Sequence, residues 1–237
     1  MERQRIAIVL VDASLELVPR EIAKHPAVVK TAKRRRKSPL TILLDKSLHY
    51  HAMKGLPFQE KRGRPDIVHL CMVEVLESPL CSKRYVQLYL HTIGGQVIKV
   101  RSDVRLPKNY NRFVGLMEQL LVFGKVPVKG EALLEILGKG LNKVFEDFKP
   151  SRKILLSEGG SRVTPMDLAE RVLKEGERVA IMIGAFPHGD FSDEVKSMAD
   201  EVVSIYDEVL EGFVVTSILM RALEFKVGLY NLNRGNV

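Results

Sequence analysis

The spacing of apolar and polar positions changes several times along the chain, and each change marks an element. "RIAIVLVD" (5–12) is a β-branched apolar run without alternation, as expected of a strand buried on both faces. "SLELVPREIAKH" has helical spacing from Ser14, although Pro19 suits a helix start better than a helix interior. "PLTILLD" reads as the second strand. "RPDIVHLCMVEVLES" reads as a helix with Pro65 in its first turn. Its Ile67, Val68, Cys71, Met72, Val75 and Leu76 share one stripe, and Pro79 stops it. "YVQLYLHTIGGQVIKV" alternates on either side of Gly94-Gly95, the pattern of a β-hairpin. "YNRFVGLMEQLLVFG" is helical and closes near Gly124, and "GEALLEILG" predicts a short amphipathic helix. "KILLSEGG" is a strand that runs into a glycine-bearing turn. "TPMDLAERVLKEG" carries a helix start in Thr164, Pro165 and Asp167 and an end at Gly176. The chain closes with the apolar run of "RVAIMIGAFPHGDF", then "VVSIYDEVL" and the apolar helix "GFVVTSILMRALEF". Strands alternating with helices predict an α/β fold, a mostly parallel sheet with helices on both faces.

Composition narrows the class. The 237 residues, 46% hydrophobic and 28% charged, suit a soluble globular chain able to bury a real core. The expected organisation is one domain over residues 1–237, with residues 79–107 as a β-hairpin extension inserted within it. No apolar run approaches the roughly 20 residues that span a bilayer, so no membrane partner is expected. Cys71 and Cys81 form no CxxC motif, and a reducing cytoplasm fits them. No HExxH or cysteine–histidine cluster appears, so no metal is assigned. His49 and His51 would share one face of an extended segment, but a zinc site takes roughly three or four ligands.

The net charge of +8 is unevenly placed. "KTAKRRRKS" crowds Lys30, Lys33, Arg34, Arg35, Arg36 and Lys37 together. "EKRGRPD" adds Lys61, Arg62 and Arg64, and "VRSDVRLPKNYNRF" adds Arg101, Arg105, Lys108 and Arg112. Such runs are often solvated loops. Basic clusters beside Tyr, Phe and Asn suit RNA better than a membrane, and one phosphate-binding face built from these runs is the preferred reading.

Glycine-bearing or polar turns follow three C-terminal apolar strands, at Ser157 to Gly160, Gly184 to Gly189 and Ser204 to Leu210. In open α/β sheets ligands sit beyond the carboxyl ends of strands, so parallel neighbours here would make a cleft for an adenine nucleoside-like ligand. No GxGxxG follows the first strand and no Walker lysine motif is present, which leaves a nicotinamide or P-loop site without support.

"RGRPDIVH", "VRLPKNYNRFVGLMEQLL" and "IGAFPHGDF", followed by a strand, a turn and an apolar helix, resemble the pseudouridine-N1-specific small-subunit rRNA methyltransferases. These are ribosome-assembly factors of the knotted SPOUT superfamily, and the resemblance runs in order along nearly the whole chain. It implies a C-terminal trefoil knot, S-adenosylmethionine as cofactor, a homodimer, and small-subunit rRNA with ribosomal proteins as further partners. The compartment is then cytoplasmic, or nucleolar if the source is eukaryotic. The cofactor residues it implies are Leu156, Gly184, Gly189 and the stretch Ser204, Ile205, Tyr206, Asp207, Glu208, Val209 and Leu210. On that reading the strand ends at Gly184 because a side chain would fill space the cofactor needs. The RNA-contacting residues it implies are Arg64, Arg105, Lys108 and Arg112. Relatives often carry arginine at Lys108, and "DEVLEG" departs from their turn, which is richer in proline and small residues. The catalytic residues are Arg64, which favours the anionic ring or orients the base, and Asp66, which holds Arg64 or acts as general base. The residues alone also allow a surface charge for Arg64 and a helix-start acid for Asp66. A non-catalytic rRNA-binding assembly factor is the alternative function, and a transfer-RNA enzyme of the same superfamily is a third; the RPD and RLP motifs count against the latter.

Overall fold

β1 (Ile6–Ala13) is fully buried along its length, with Ile6, Ile8 and Leu10 in one apolar cluster and Ala7, Val9 and Val11 in another. Alternate residues of a strand face opposite sides, so two buried faces require cover on both. The computed structural model describes residues 5–174 and 177–230 and shows that cover. The other strands are β2 (Val86–Thr92), β3 (Gln96–Val100), β4 (Lys125–Val126), β5 (Leu134–Lys139), β6 (Arg152–Arg162), β7 (Val179–Gly184) and β8 (Glu201–Ser204). They form one sheet in the order β4-β5-β3-β2-β1-β7-β6-β8. Pairing is parallel from β2 through β1, β7 and β6 to β8, and antiparallel from β2 through β3 and β5 to β4.

The helices are α1 (Pro26–Arg35), α2 (Lys46–His49), α3 (Pro65–Leu76), α4 (Pro79–Ser82), α5 (Tyr110–Phe123), α6 (Asn142–Phe148), α7 (Pro165–Val172), α8 (Asp193–Met198) and α9 (Gly212–Val227). Apolar residues of α3, α5, α7 and α9 pack on the β1 face that carries Ile6, and those of α6 and α8 on the other. The α/β expectation therefore holds, with helices on both faces. Pro65 and Pro165 open their helices as the sequence indicated, and side-chain caps fix two starts. Thr164 accepts the Asp167 N–H at the start of α7, and Asn109 accepts the Arg112 N–H at the start of α5. The end at Gly176 lies outside the described residues. The hairpin at Gly94-Gly95 joins the sheet directly, because β2 pairs with β1. β6, earlier in the chain, lies between the later β7 and β8, a crossing compatible with a knotted C-terminal segment.

Four local expectations fail, each for a tertiary reason. No helix starts at Ser14: the chain stays extended to a bridge between Leu17 and Leu43, and α1 begins only at Pro26, capped by the His25 side chain. "PLTILLD" is not a sheet strand. It starts as a 3-10 turn, then exchanges Val18 N–H to Ile42 O and Leu44 N–H to Glu16 O. Ile42 and Leu44 instead build a separate small core with Val18, Val28, Ala52 and Met53. "GEALLEILG" supplies β5, whose backbone pairs with the outer edge of β3; pairing an open edge outweighs a weak helical preference. Pro79 does not merely stop α3, which ends at Leu76, but opens α4 after the Ser78 cap.

The small core is tied to the sheet by one buried acid. The Glu118 carboxylate on α5, 1% exposed, accepts hydrogen bonds from Arg35, from Lys37 at 2.6 Å and from the Leu43 N–H at 3.0 Å. Removing an acceptor from a buried N–H costs about 1–3 kcal/mol. Glu118→Ala should therefore lower unfolding stability by roughly 2 kcal/mol in urea titration, and Glu118→Gln by less because an amide oxygen still accepts from Leu43. Equal losses in the two variants would show that the cations, not the Leu43 N–H, carry the effect.

Candidate active site

β8, β6 and β7 are parallel neighbours, so the chain leaves them at the same edge of the sheet. The segments that follow enclose a cavity of about 390 Å³, within the range of small-molecule sites. β6 does not end at "SEGG" but runs on to Arg162. Val203 faces both Leu156 and Ser161, so residues 157–160 are extra chain relative to β8, with Ser157 and Glu158 lining the cavity and Gly160 against the Val203 backbone. Leu156, Gly184, Gly189, Ser204, Ile205, Tyr206, Glu208, Val209 and Leu210 all line it. Asp207 does not: its exposed carboxylate pairs with Arg162 at 3.2 Å, beneath a guanidinium stacked 5.8 Å from the Tyr206 ring. Ser204 Oγ donates to the Tyr206 carbonyl at 2.6 Å, so this hydroxyl shapes the turn.

The reason for Gly184 needs correction. A Cβ there would come within 3.0 Å of the Phe186 ring and 3.1 Å of the Phe191 ring. The missing side chain makes room for this edge-to-face aromatic pair, and the pair in turn walls the cavity. A tighter constraint, not picked out from the sequence, is Gly212. A Cβ on it would sit 2.2 Å from the Gly184 carbonyl oxygen, so only glycine lets α9 begin against the end of β7. The glycine that opens the apolar helix was the available signal.

The walls combine two chemistries. Phe186, Ile205, Leu210 and Val215 are apolar, while Glu158, Asp190, Glu208 and Glu211 bring carboxylates. Lys196 hydrogen-bonds Asp190 and holds its carboxyl below the ordinary carboxylate range. Cys71 is no nucleophile, since burial pushes its thiol up to about 12. Among the described residues no group of His, Cys, Asp or Glu is arranged to hold a metal ion, and no helix is long and apolar enough to cross a membrane.

The motif "RGRPD" lies beside this cavity. Arg64 precedes α3, and its guanidinium grips Asp66 through Nε at 2.9 Å and Nη2 at 2.8 Å. Partial burial works against ionisation of Asp66, but the hydrogen bond and charge of Arg64 outweigh it and hold the carboxyl below its ordinary value. The hydrogen bond to Asp66 likewise raises Arg64, helped by the charges of Asp66 and of Glu211 in the cavity wall. A depressed carboxyl contributes its stabilisation above the ordinary carboxylate range and loses it only as pH falls through the depressed value. The pair is therefore intact at neutral pH, and Asp66 is a weakened base that positions Arg64. His69 carries the second motif: its Nε2 meets the Pro107 carbonyl at 2.8 Å and its ring stacks on Phe113 at 4.2 Å.

Part of the charge in the basic runs is turned inward, while Lys30, Lys33, Arg34 and Arg36 stay exposed. Lys61 pairs with buried Asp12, and Arg62 with Glu16. Arg35 and Lys37 hold Glu118, and Arg101 holds Asp103 and Glu131. Lys108 pairs with Glu77 at 3.1 Å on the surface. Arg105 and Arg112 are exposed, and among the described residues their guanidinium groups have no ion-pair partner. Of the motif arginines, Arg105 and Arg112 are thus left exposed and unpaired among the described residues, while Arg64 is half-buried and held by Asp66. His49 and His51 do not share a face: His49 is buried in α2, accepting the Asp45 N–H at 3.1 Å, and His51 is exposed against Tyr50.

An α/β sheet with a mixed apolar and acidic cavity at its carboxyl edge and a guanidinium motif alongside defines a nucleoside-cofactor enzyme with an anionic substrate. The chain belongs to the EMG1/NEP1 methyltransferase family, whose profile matches residues 8–224. It is 45% identical to the ribosomal RNA small subunit methyltransferase Nep1 of Staphylothermus marinus over 231 residues, 97% of this chain and 98% of that protein. It is 48% identical to Nep1 of Sulfurisphaera tokodaii over 226 residues, 94% of this chain and 99% of that protein. The crystal structure of Archaeoglobus fulgidus Nep1 bound to S-adenosylhomocysteine superposes with a TM-score of 0.83 at 42% identity, covering 94% of this chain and 98% of that one.

The cavity suits such a ligand. Apolar walls and turn backbone can take the adenosine of either form, and the carboxylates favour the positive sulfonium of S-adenosylmethionine. Gly212→Ala should weaken S-adenosylhomocysteine binding at least about tenfold in calorimetry while far-ultraviolet circular dichroism stays native, because α9 must move off Gly184 to admit the methyl group. Unchanged affinity would show that the start of α9 does not shape the binding cavity.

Proposed function

We propose that this chain methylates the N1 atom of a pseudouridine in small-subunit rRNA, using S-adenosylmethionine, during assembly of the small subunit. The observation that carries this reading is the cavity of Leu156, Gly184 and Ser204 to Leu210 set against the Arg64–Asp66 pair, in a chain whose relatives are named for rRNA methylation. Gly212 brings the two together, since its Cβ position lies 3.8 Å from Cys71 Sγ on the helix that Arg64 begins.

When bound, the cofactor supplies an electrophilic methyl group and leaves as a neutral thioether. The chain's own residues align the acceptor. Asp66 fixes the Arg64 fork, so the guanidinium faces the substrate without searching rotamers. A fixed positive charge favours transfer of the pyrimidine N1 proton to solvent water, and the ring nitrogen freed of it is the nucleophile. Arg105 and Arg112 hold phosphates, and Phe186 and Phe191 exclude water from one wall. A second copy of the chain completes the assembly through the surface around α9 and the turn after β8, where Val209 is 76% and Phe225 59% exposed.

The direct test is methyl transfer to a small-subunit rRNA hairpin carrying pseudouridine or uridine at the target; equal transfer to both would overturn the N1 assignment. Arg64→Ala should lower turnover at least about a hundredfold and RNA affinity only a few-fold, since its contact strengthens in the transition state. Equal losses in rate and binding would reduce Arg64 to a phosphate clamp. Arg105→Ala and Arg112→Ala should each weaken RNA binding and reduce the log–log salt slope by about 0.7 without changing cofactor affinity. Light scattering at micromolar concentration should give a dimer, and a monomer would overturn the assembly.

A further inference from the structure

Three polar side chains follow one another at the end of β1 and just beyond it, on Asp12, Ser14 and Glu16. Each takes a partner from the segment that ends in the Arg64 motif. Asp12 Oδ2 meets Lys61 Nζ at 3.1 Å, Glu16 grips the Arg62 guanidinium at 2.7 and 2.6 Å, and Ser14 Oγ accepts the Arg64 N–H at 2.8 Å. Two of the three also hold the loop that walls the cofactor cavity. Asp12 accepts the Ser192 N–H at 2.7 Å and its hydroxyl at 2.9 Å, and the Ser14 N–H donates to the Ala185 carbonyl at 2.9 Å.

Lys61 closes the circuit. Its ammonium lies 4.7 Å from the centre of the Phe186 ring, and Gly189 rests so closely on it that a Cβ there would be 3.3 Å from Lys61 Cγ. The pair is buried, with side-chain exposures of 8% for Lys61 and 4% for Asp12. The other groups facing it are His91, whose Nδ1 is 3.9 Å from Asp12 Oδ1, and Glu194, 3.5 Å from His91 Nε2. Buried ion pairs are often no more stabilising than an apolar pair of the same volume, so stability alone gives little reason for charge here.

We propose that the Asp12–Lys61 pair is a positioning device that fixes the methyl-donor loop, residues 185–192, relative to the Arg64 motif. It rests on the methyl-transfer reading above. An in-line displacement tolerates little misalignment, and about 1 Å of displacement costs on the order of a hundredfold in rate. One carboxylate that holds both loops sets the distance between donor and acceptor while touching neither. Neutralising Asp12 turns an amide NH2 toward donors, and removing the ammonium frees Phe186 and Gly189.

The test uses the full chain as Asp12→Asn, Lys61→Met and the double variant, with S-adenosylhomocysteine and a pseudouridine hairpin as probes. Each single change should lower kcat roughly 30- to 100-fold, while the KM for RNA and both dissociation constants stay within about threefold. The double variant should be no slower than the worse single one, because the pair acts as a unit. Independently of activity, Lys61→Met should speed amide hydrogen exchange across residues 185–192 at least about tenfold, although Lys61 lies in the other loop. Turnover within threefold of the parent, additive losses, or unchanged exchange in residues 185–192 would overturn the proposal. So would cofactor affinity that falls in step with rate, which would place the pair in binding. If a single variant does not fold, the double variant leaves no unpaired buried charge, and its kcat and exchange decide. A parent that transfers no methyl group defeats the enzymatic reading but leaves the exchange result standing as a test of the coupling between loops.

Discussion

The parallel pairing of β1 with β2 on one side and β7 on the other is the constraint on which the molecule depends. Burying each large side chain of β1 contributes roughly 2 kcal/mol, and it does so only with helices on both faces. That fixes α3, α5, α7 and α9 on one side and α6 and α8 on the other. The same pairing fixes where β1 ends. Val11 lies opposite Gly184, so β1 ends beside the segment that walls the cavity, where Asp12 holds Ser192 and the Ser14 N–H meets the Ala185 carbonyl. The site is thus a consequence of register: a one-residue slip would turn the Asp12 side chain to the other face and dissolve its bonds to both loops.

The cations of the chain divide by function, and the division is invisible in composition. Lys61, Arg62, Arg35 and Lys37 belong to basic runs, yet their partners Asp12, Glu16 and Glu118 are buried or nearly so and lie far away in sequence. These ion pairs join segments. Left exposed are Arg105 and Arg112, with Lys30, Lys33 and Arg34 on α1 and Arg36 at its end. Among the described residues Arg105 and Arg112 have no ion-pair partner, while Lys108 between them is held by Glu77.

Much of this architecture was legible in the sequence because it is local. Apolar runs without alternation marked β1 and β7, Pro65 marked α3, Thr164 and Pro165 marked α7, helical spacing closed by Gly124 marked α5, and the Gly94-Gly95 turn marked the hairpin. The cavity was legible as three turns after three strands, and all but Asp207 of the stretch from Ser204 to Leu210 line it. What escaped was decided at long range. β5 is a strand only because β3 offers an edge, and "PLTILLD" is extended only to meet residues 16–18. Gly184 was read correctly as a cavity residue but for the wrong reason, because the rings of Phe186 and Phe191 can be placed against it only in three dimensions. Asp12 gave a weak signal that went unread, an acid closing an apolar strand.

That acid sits with φ of 48°, outside the comfortable range for a side chain other than glycine, asparagine or aspartate. Aspartate tolerates this conformation better than most residues, and its short carboxylate reaches Ser192 and Lys61 from it. A longer acid would push the two loops apart; an apolar residue would fill the space without fixing their separation. A buried ion pair is a poor source of stability but an exact ruler, since its geometry is set by hydrogen bonds rather than by soft packing. Methyl transfer needs such a ruler between donor and acceptor. The strand that founds the sheet ends in a residue able to provide it.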